Sequence, residues 1–141
     1  MSIHQIETLF VNQVMMKLEQ VPVVQENVIL KVALEDMGRS NLGIVCIVNS
    51  KIELLGILTD GDLRRKLLKI QKPFSSFFVD DALDHAVRSP VTILPSDTLL
   101  QAVGLMGRLR IWDLPVVDCE GHLVGLLHLH PAIQALIGMD E

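Results

Sequence analysis

The chain has 141 residues, 50% of them hydrophobic, with a formal net charge of -5 and a pI near 5.5. That length suits one compact domain, or two small subdomains sharing a core, and excludes a catalytic domain joined to a regulatory one. An acidic chain lacks the basic face that phosphate-backbone affinity requires, so nucleic acid is excluded as its main partner.

The start, Met-Ser-Ile-His-Gln, has no basic region followed by an apolar core, so no secretory leader is expected. The longest uncharged stretch, Gly121 to Met139, holds His122, His128, His130, Pro131 and Gln134, which argues against a membrane-spanning helix. Cys46 sits in an apolar run and Cys119 in a polar turn, so no disulfide framework is expected and a reducing, cytoplasmic setting fits.

In chain order, Ile6, Leu9, Phe10, Val14 and Leu18 recur with a helical period and predict a helical lead over 1–18. Pro22-Val23-Val24 is extended, because proline fixes its own φ and disfavours helix before it. Ile29, Leu30, Ala33, Leu34 and Met37 mark an amphipathic helix that stops between Gly38 and Gly43. Ile44 to Val48 and Leu54 to Leu58 read as a hairpin around the turn Asn49-Ser50-Lys51, and a helix follows from Asp62 to about Ile70.

The same order then returns. Pro90 to Ile93 is extended, Ser96-Asp97 is expected to cap a helix carrying Leu99, Leu100, Val103 and Met106, and Leu114 to Val117 and Leu123 to Leu127 form a second hairpin. A single offset of 69 residues aligns Gly56 with Gly125, Ala33 with Ala102, Met37 with Met106, Val48 with Val117 and Leu54 with Leu123, without a gap. The expected fold is α/β: two repeats, each strand, helix, strand, strand, helix, at 19–71 and 82–141, joined by a linker over 72–81. Neither repeat alone encloses much of a core, so packing of the two through their sheets is expected. Phe74, Phe77 and Phe78 in the linker are expected to pack on the domain or on a second subunit.

The stretch with the most chemistry is Gly56-Ile-Leu-Thr-Asp-Gly-Asp-Leu-Arg-Arg65, a strand running into a helix. The first N–H groups of a helix lack intrahelical partners and carry partial positive charge, which suits an anion. Thr59 adds a hydroxyl, Asp60, Gly61 and Asp62 follow at the helix start, and Arg64 and Arg65 bring cations suited to phosphate. Such a set can hold a ribose phosphate, with the carboxylate on the sugar hydroxyls. The plainer reading makes Thr59 or Asp60 an N-cap and Asp62 a first-turn acid. The basic run Arg64, Arg65, Lys66, Lys69 and Lys72 reads as a solvated helix face.

Paired units of this length, each with a Gly-containing strand before the helix, resemble the CBS-domain pair, or Bateman module. Gly56 to Arg65 together with Gly125-Leu-Leu-His-Leu-His130 is similar to the C-terminal CBS pair of the KpsF/GutQ-family arabinose 5-phosphate isomerases, which serve Kdo and lipopolysaccharide synthesis. Those enzymes carry their catalytic residues in a sugar isomerase domain, so the resemblance implies a regulatory module with no catalytic residue here, either stand-alone or a fragment of a longer enzyme. It further implies tandem repeats related by a pseudo-twofold axis, a homodimer formed through apolar helical faces, and a partner among sugar-phosphate isomerases or nucleotidyltransferases.

By the family pattern, Thr59 and Asp62 hold the ribose phosphate, with the base against Val23, Val24, Ile44 and Val45; ordinary core packing is the alternative for the valines. The implied ligand is a nucleotide or sugar nucleotide, with AMP, ATP, CMP and a CMP-sugar all open, and no other cofactor. At the same offset the second repeat has His128 and Pro131, and a proline side chain accepts no hydrogen bond, so one competent site is expected. A structural dimerisation module with vestigial clefts is the alternative.

His128 and His130 would share a face if the strand continued, with His122 across the hairpin. The spacing brings no matching carboxylate or thiolate, so these residues are read as cap or cleft lining and no metal is expected. Trp112, aligned with Gly43, is expected to fill the second cleft.

Overall fold

The computed structural model describes residues 9–69, 71 and 73–138; the opening of the expected helical lead, Ile70 and Lys72 lie outside them. In chain order the elements are β1 (Met16–Lys17), β2 (Val23–Gln25), α1 (Leu30–Ser40), β3 (Ile44–Val48), β4 (Leu54–Thr59), α2 (Asp60–Lys69), α3 (Phe74–Phe78), β5 (Val87–Arg88), α4 (Leu99–Leu109), β6 (Asp113–Val117), β7 (Leu123–His128) and α5 (Leu129–Gly138). Short 3-10 turns occupy Val11–Gln13, Leu18–Gln20 and Ala82–His85.

The described part of the expected helical lead is therefore not an α-helix. The Val11 and Asn12 N–H groups donate to the carbonyls of Asp97 and Pro95, at 2.9 and 3.1 Å, and Met16–Lys17 pairs with β7. Backbone partners from far along the chain overrode a helical period that no cap supported.

The chain divides into two compact units. The first, Val21–Pro90, holds a four-stranded sheet in the order β2-β3-β4-β5, with β2 parallel to β3 and the other pairs antiparallel. Its core gathers Val24, Leu30, Ala33, Met37, Val45, Ile47, Leu58, Leu63, Phe77 and Ala82. The second unit, described over 9–20 and 91–138, holds the sheet β1-β7-β6, with core residues Val11, Ile93, Leu99, Ala102, Met106, Leu114, Val116, Leu127 and Ala132. The offset of 69 maps Val24, Leu30, Ala33, Met37, Val45, Ile47, Leu58 and Leu63 onto eight of these nine. Each core is completed from outside its repeat: Phe77 and Ala82 in the first unit, Val11 in the second.

The internal likeness extends to backbone detail. Asn49 Oδ1 accepts from the N–H groups of Lys51 and Glu53, both at 3.0 Å, and Asp118 Oδ1 accepts from Glu120 and His122 at 3.0 and 2.9 Å. Side chains that bond forward to the backbone in this way hold tight turns. Both hairpins shift register at the end of their first strand, between Ile47 and Val48 and between Val116 and Val117. Gly56 and Gly125 share a reason for being glycine. A Cβ at Gly56 would stand 2.9 Å from the Val87 carbonyl oxygen, and one at Gly125 2.5 Å from that of Met16. The short strands β5 and β1 can lie against β4 and β7 only because no side chain is there.

The turns differ at one position. Gly121 has φ +89°, whereas the equivalent Ile52, a β-branched residue, is held at φ +63°. That conformation costs a non-glycine residue roughly 1–3 kcal/mol. Ile52→Gly is expected to raise stability by about 1 kcal/mol after the added chain entropy of glycine, an increase of about 3 °C in Tm. A melting curve with Tm unchanged or lowered would contradict this.

The helix capped in the second repeat begins one residue later than expected. Thr98, not Ser96-Asp97, is the N-cap of α4: its hydroxyl accepts from Gln101 N–H at 3.1 Å, and Gln101 Oε1 accepts from Thr98 N–H at 3.0 Å. This is a reciprocal capping box. Among the described residues no helix is long and apolar enough to cross a membrane.

Candidate functional site

The junction of β4 and α2 decides what Thr59 and Asp62 can do. The strand ends at Thr59 and the helix begins at Asp60, so Thr59 stands at the N-cap and Asp62 at the third helical position. The Thr59 hydroxyl accepts from Asp62 N–H at 3.1 Å and donates to Asp62 Oδ2 at 2.9 Å. Asp62 Oδ1 accepts from the Arg65 guanidinium one turn on. The N-cap reading is thus realised, and capacity for a ligand remains. A carboxylate offers about four acceptor positions and two are used; a hydroxyl oxygen has two lone pairs and one is used. Asp62 can therefore accept both hydroxyls of a ribose diol without releasing Thr59 or Arg65. Its side chain is 27% exposed, so a ligand reaches it.

Arg65 lies over Gly61: both terminal guanidinium nitrogens are 3.6 Å from where a Cβ there would stand. The structure so brings Thr59, Gly61, Asp62 and Arg65 together. Arg64 is exposed on the helix. Asp60 turns elsewhere. Its N–H donates to the Gly43 carbonyl at 3.1 Å, and its carboxylate faces Gly43 in a shallow pocket with Leu34, Met37, Gly38 and Asn41.

The four apolar residues expected to line the base are placed by the sheet. Ile44 pairs with Thr59 and Val45 with Leu58 across β3 and β4, while Val23 and Val24 pair with Cys46 and Ile47. Val24 and Val45 are buried in the first unit's core, and Ile44 is buried too, so what these three offer a ligand is backbone. Val23 is half-buried.

The equivalent junction in the second unit has different chemistry. Pro131 occupies the third helical position of α5, with neither an N–H to be capped nor a side-chain acceptor. His128 ends β7 and pairs instead with Asp113 on β6, Nδ1 to Oδ1 at 2.8 Å. Because the strand ends there, His130 lies in the first turn of α5 and does not share a strand face with His128, contrary to the expected alternation. His122 sits by its own turn, Nδ1 3.3 Å from Asp118 Oδ2. The His122 backbone N–H, foremost, holds the Asp118 carboxyl below the usual carboxylate range. Trp112 fills no cleft: it is 69% exposed, its carbonyl accepting from Leu129 N–H at 2.8 Å.

One buried polar group has no counterpart among the residues that the sequence pattern singles out. His85, at the end of the third 3-10 turn, is 9% exposed, with Nε2 2.8 Å from Asp80 Oδ2 and its ring 4.5 Å from that of Phe77. Neither periodicity nor a motif marks it.

Two segments, 11–69 and 79–130, match the family model of the CBS domain. The chain belongs to the CBS domain family. This CBS pair is 30% identical over 125 residues to arabinose 5-phosphate isomerase KdsD of Escherichia coli strain K12, a match covering 89% of the chain and 37% of the relative. It is 33% identical over 115 residues to an uncharacterized protein of Helicobacter pylori strain J99, covering 80% and 33%. The chain spans about a third of the length of these curated relatives. Among solved structures the CBS pair resembles CBSX2, a CBS-pair protein from Arabidopsis thaliana, in complex with AMP, with TM-score 0.83 and 24% identity over 94% of this chain and 99% of that one. A CBS domain-containing protein from Bacillus anthracis superposes with TM-score 0.85 and 16% identity, covering 97% and 99%. These likenesses establish the fold as mixed α and β with two tandem CBS repeats.

Proposed function

We propose that the chain is a regulatory CBS pair that binds one nucleotide or sugar nucleotide at Thr59 and Asp62 and, through it, modulates a sugar-phosphate enzyme. The observation that carries this reading is the unused acceptor capacity of Asp62, half-buried yet reachable at a helix N-terminus and steadied by Thr59 and Arg65. The AMP held by the CBSX2 relative supports a nucleotide of adenine type, and CMP or a CMP-sugar fits the same carboxylate and hydroxyl. The likeness to KdsD supports a partner in arabinose 5-phosphate, Kdo or lipopolysaccharide chemistry, either a sugar-phosphate isomerase or a nucleotidyltransferase. The chain then works in the cytoplasm as a homodimer, and its role is binding, with no chemical step of its own. Regulation follows if the ligand binds two states of the assembly with different affinity.

Thermal unfolding with adenine, cytidine, guanine and uridine nucleotides and CMP-sugars tests this. A ligand at about a hundred times its Kd stabilises by about 2.7 kcal/mol, which raises Tm by roughly 5–10 °C in a chain of this size. No shift with any of them would refute the sensor and favour a dimerisation module, for which the proline at position 131 already speaks in the second repeat.

A further inference from the structure

Asp62, Arg65, Lys66 and Lys69 recur at three and four residues along α2 and so share one face of it. Between that face and the segment His85 to Val87 lies a pocket of about 200 Å3. Its lining carries the permanent positive charges of Arg65, Lys66 and Lys69 against the single negative charge of Asp62, which Arg65 already engages. Pockets that enclose a whole drug-sized ligand run to roughly 300–1,000 Å3, so this one suits a smaller charged group.

His85 forms part of the wall and is 9% exposed. Asp80 holds its Nε2 and Phe77 packs on its ring, which fixes the imidazole from two sides. Its Nδ1 is buried and, among the described residues, has no hydrogen-bond partner. Leaving such a group unsatisfied is unfavourable, and no described residue relieves it. With Nε2 taken by the Asp80 carboxylate, Nδ1 can pair with an oxygen of a phosphate group, the proton between them coming from either side. Excess cationic charge and a fixed, unfilled ring nitrogen point to the same occupant.

We propose that this pocket receives the distal phosphates of the nucleotide, with Lys66 and Lys69 as charge partners and His85 Nδ1 as a hydrogen-bond partner after a small movement of the surrounding side chains. The inference rests on the reading of Asp62 as the ribose ligand and adds a preference for di- and triphosphates over monophosphates.

Calorimetric titration of the chain with AMP, ATP, CMP, CTP and inorganic tripolyphosphate tests it. The triphosphate of the preferred base is expected to bind about tenfold more tightly than the monophosphate, the worth of a charge-assisted contact or two. Lys69→Gln, at an exposed position, and His85→Gln, whose amide nitrogen can keep the Asp80 contact while the Nδ1 atom is lost, should each erase most of that difference and leave the monophosphate affinity unchanged. Equal affinities for mono- and triphosphate, with both variants silent, would overturn the pocket and leave the Asp62 site standing. If no nucleotide binds, the Asp62 reading fails and tripolyphosphate decides: binding weakened in Lys69→Gln upholds an anion pocket, and no binding overturns it.

Discussion

Asp62→Ala is expected to abolish nucleotide binding while leaving the chain folded. A ribose diol on the two unused acceptor positions makes two hydrogen bonds to a charged group, each worth about 1.5–3 kcal/mol, so their joint loss weakens binding by about a hundredfold or more. The folded state loses far less. The Asp62–Arg65 pair is of the exposed kind that contributes about 0–1 kcal/mol. The cap itself survives, because residue 62 keeps the N–H that donates to the Thr59 hydroxyl whatever its side chain. Circular dichroism and a melting curve should therefore match the parent chain to within a few degrees. Retained binding would place the ligand elsewhere; unfolding would make Asp62 a structural residue.

Phe77→Ala is expected to have the largest effect on stability. Phe77 is fully buried in the core of the first unit, against Phe78 with ring centroids 5.8 Å apart and against His85. Truncating a buried Phe typically costs about 3–5 kcal/mol, a large share of the 5–15 kcal/mol that holds a typical domain together. Phe74, in the same short helix, is 62% exposed and supplies the control: Phe74→Ala should change stability by less than about 0.5 kcal/mol. Denaturant unfolding distinguishes the two. A Phe77→Ala chain as stable as Phe74→Ala would show that residues 74–78 only bridge the repeats.

That contrast also shows what a sequence conveys and what it withholds. The hairpins, helices α1, α2 and α4 and the eight paired core positions follow from apolar period and from one constant offset, because both are local or repeated signals. The meeting of Thr59 and Asp62 was legible for a similar reason: a spacing of three across a helix start brings an N-cap and its third residue together. The Thr98–Gln101 capping box was equally readable, since a Thr followed three residues later by Gln is its signature. Residues 9–18 were not, because their fate depends on carbonyls at Pro95 and Asp97 that no local pattern announces. Nor does composition reveal that Phe77 turns inward while Phe74 faces water. Val24 and Val45 illustrate a further limit: an apolar residue beside a cleft reads the same whether its side chain meets ligand or core, and here it meets the core. His85 carries no sequence signal at all; its interest comes from burial and an unfilled nitrogen.

The number of nucleotides bound per chain tests most directly whether a single cleft is competent. Calorimetric titration of the unmodified chain with the nucleotide selected by thermal shift should give one site per chain, and none in Asp62→Ala. Two equivalent sites per chain, or one site indifferent to Asp62, would contradict a single competent cleft at the start of α2.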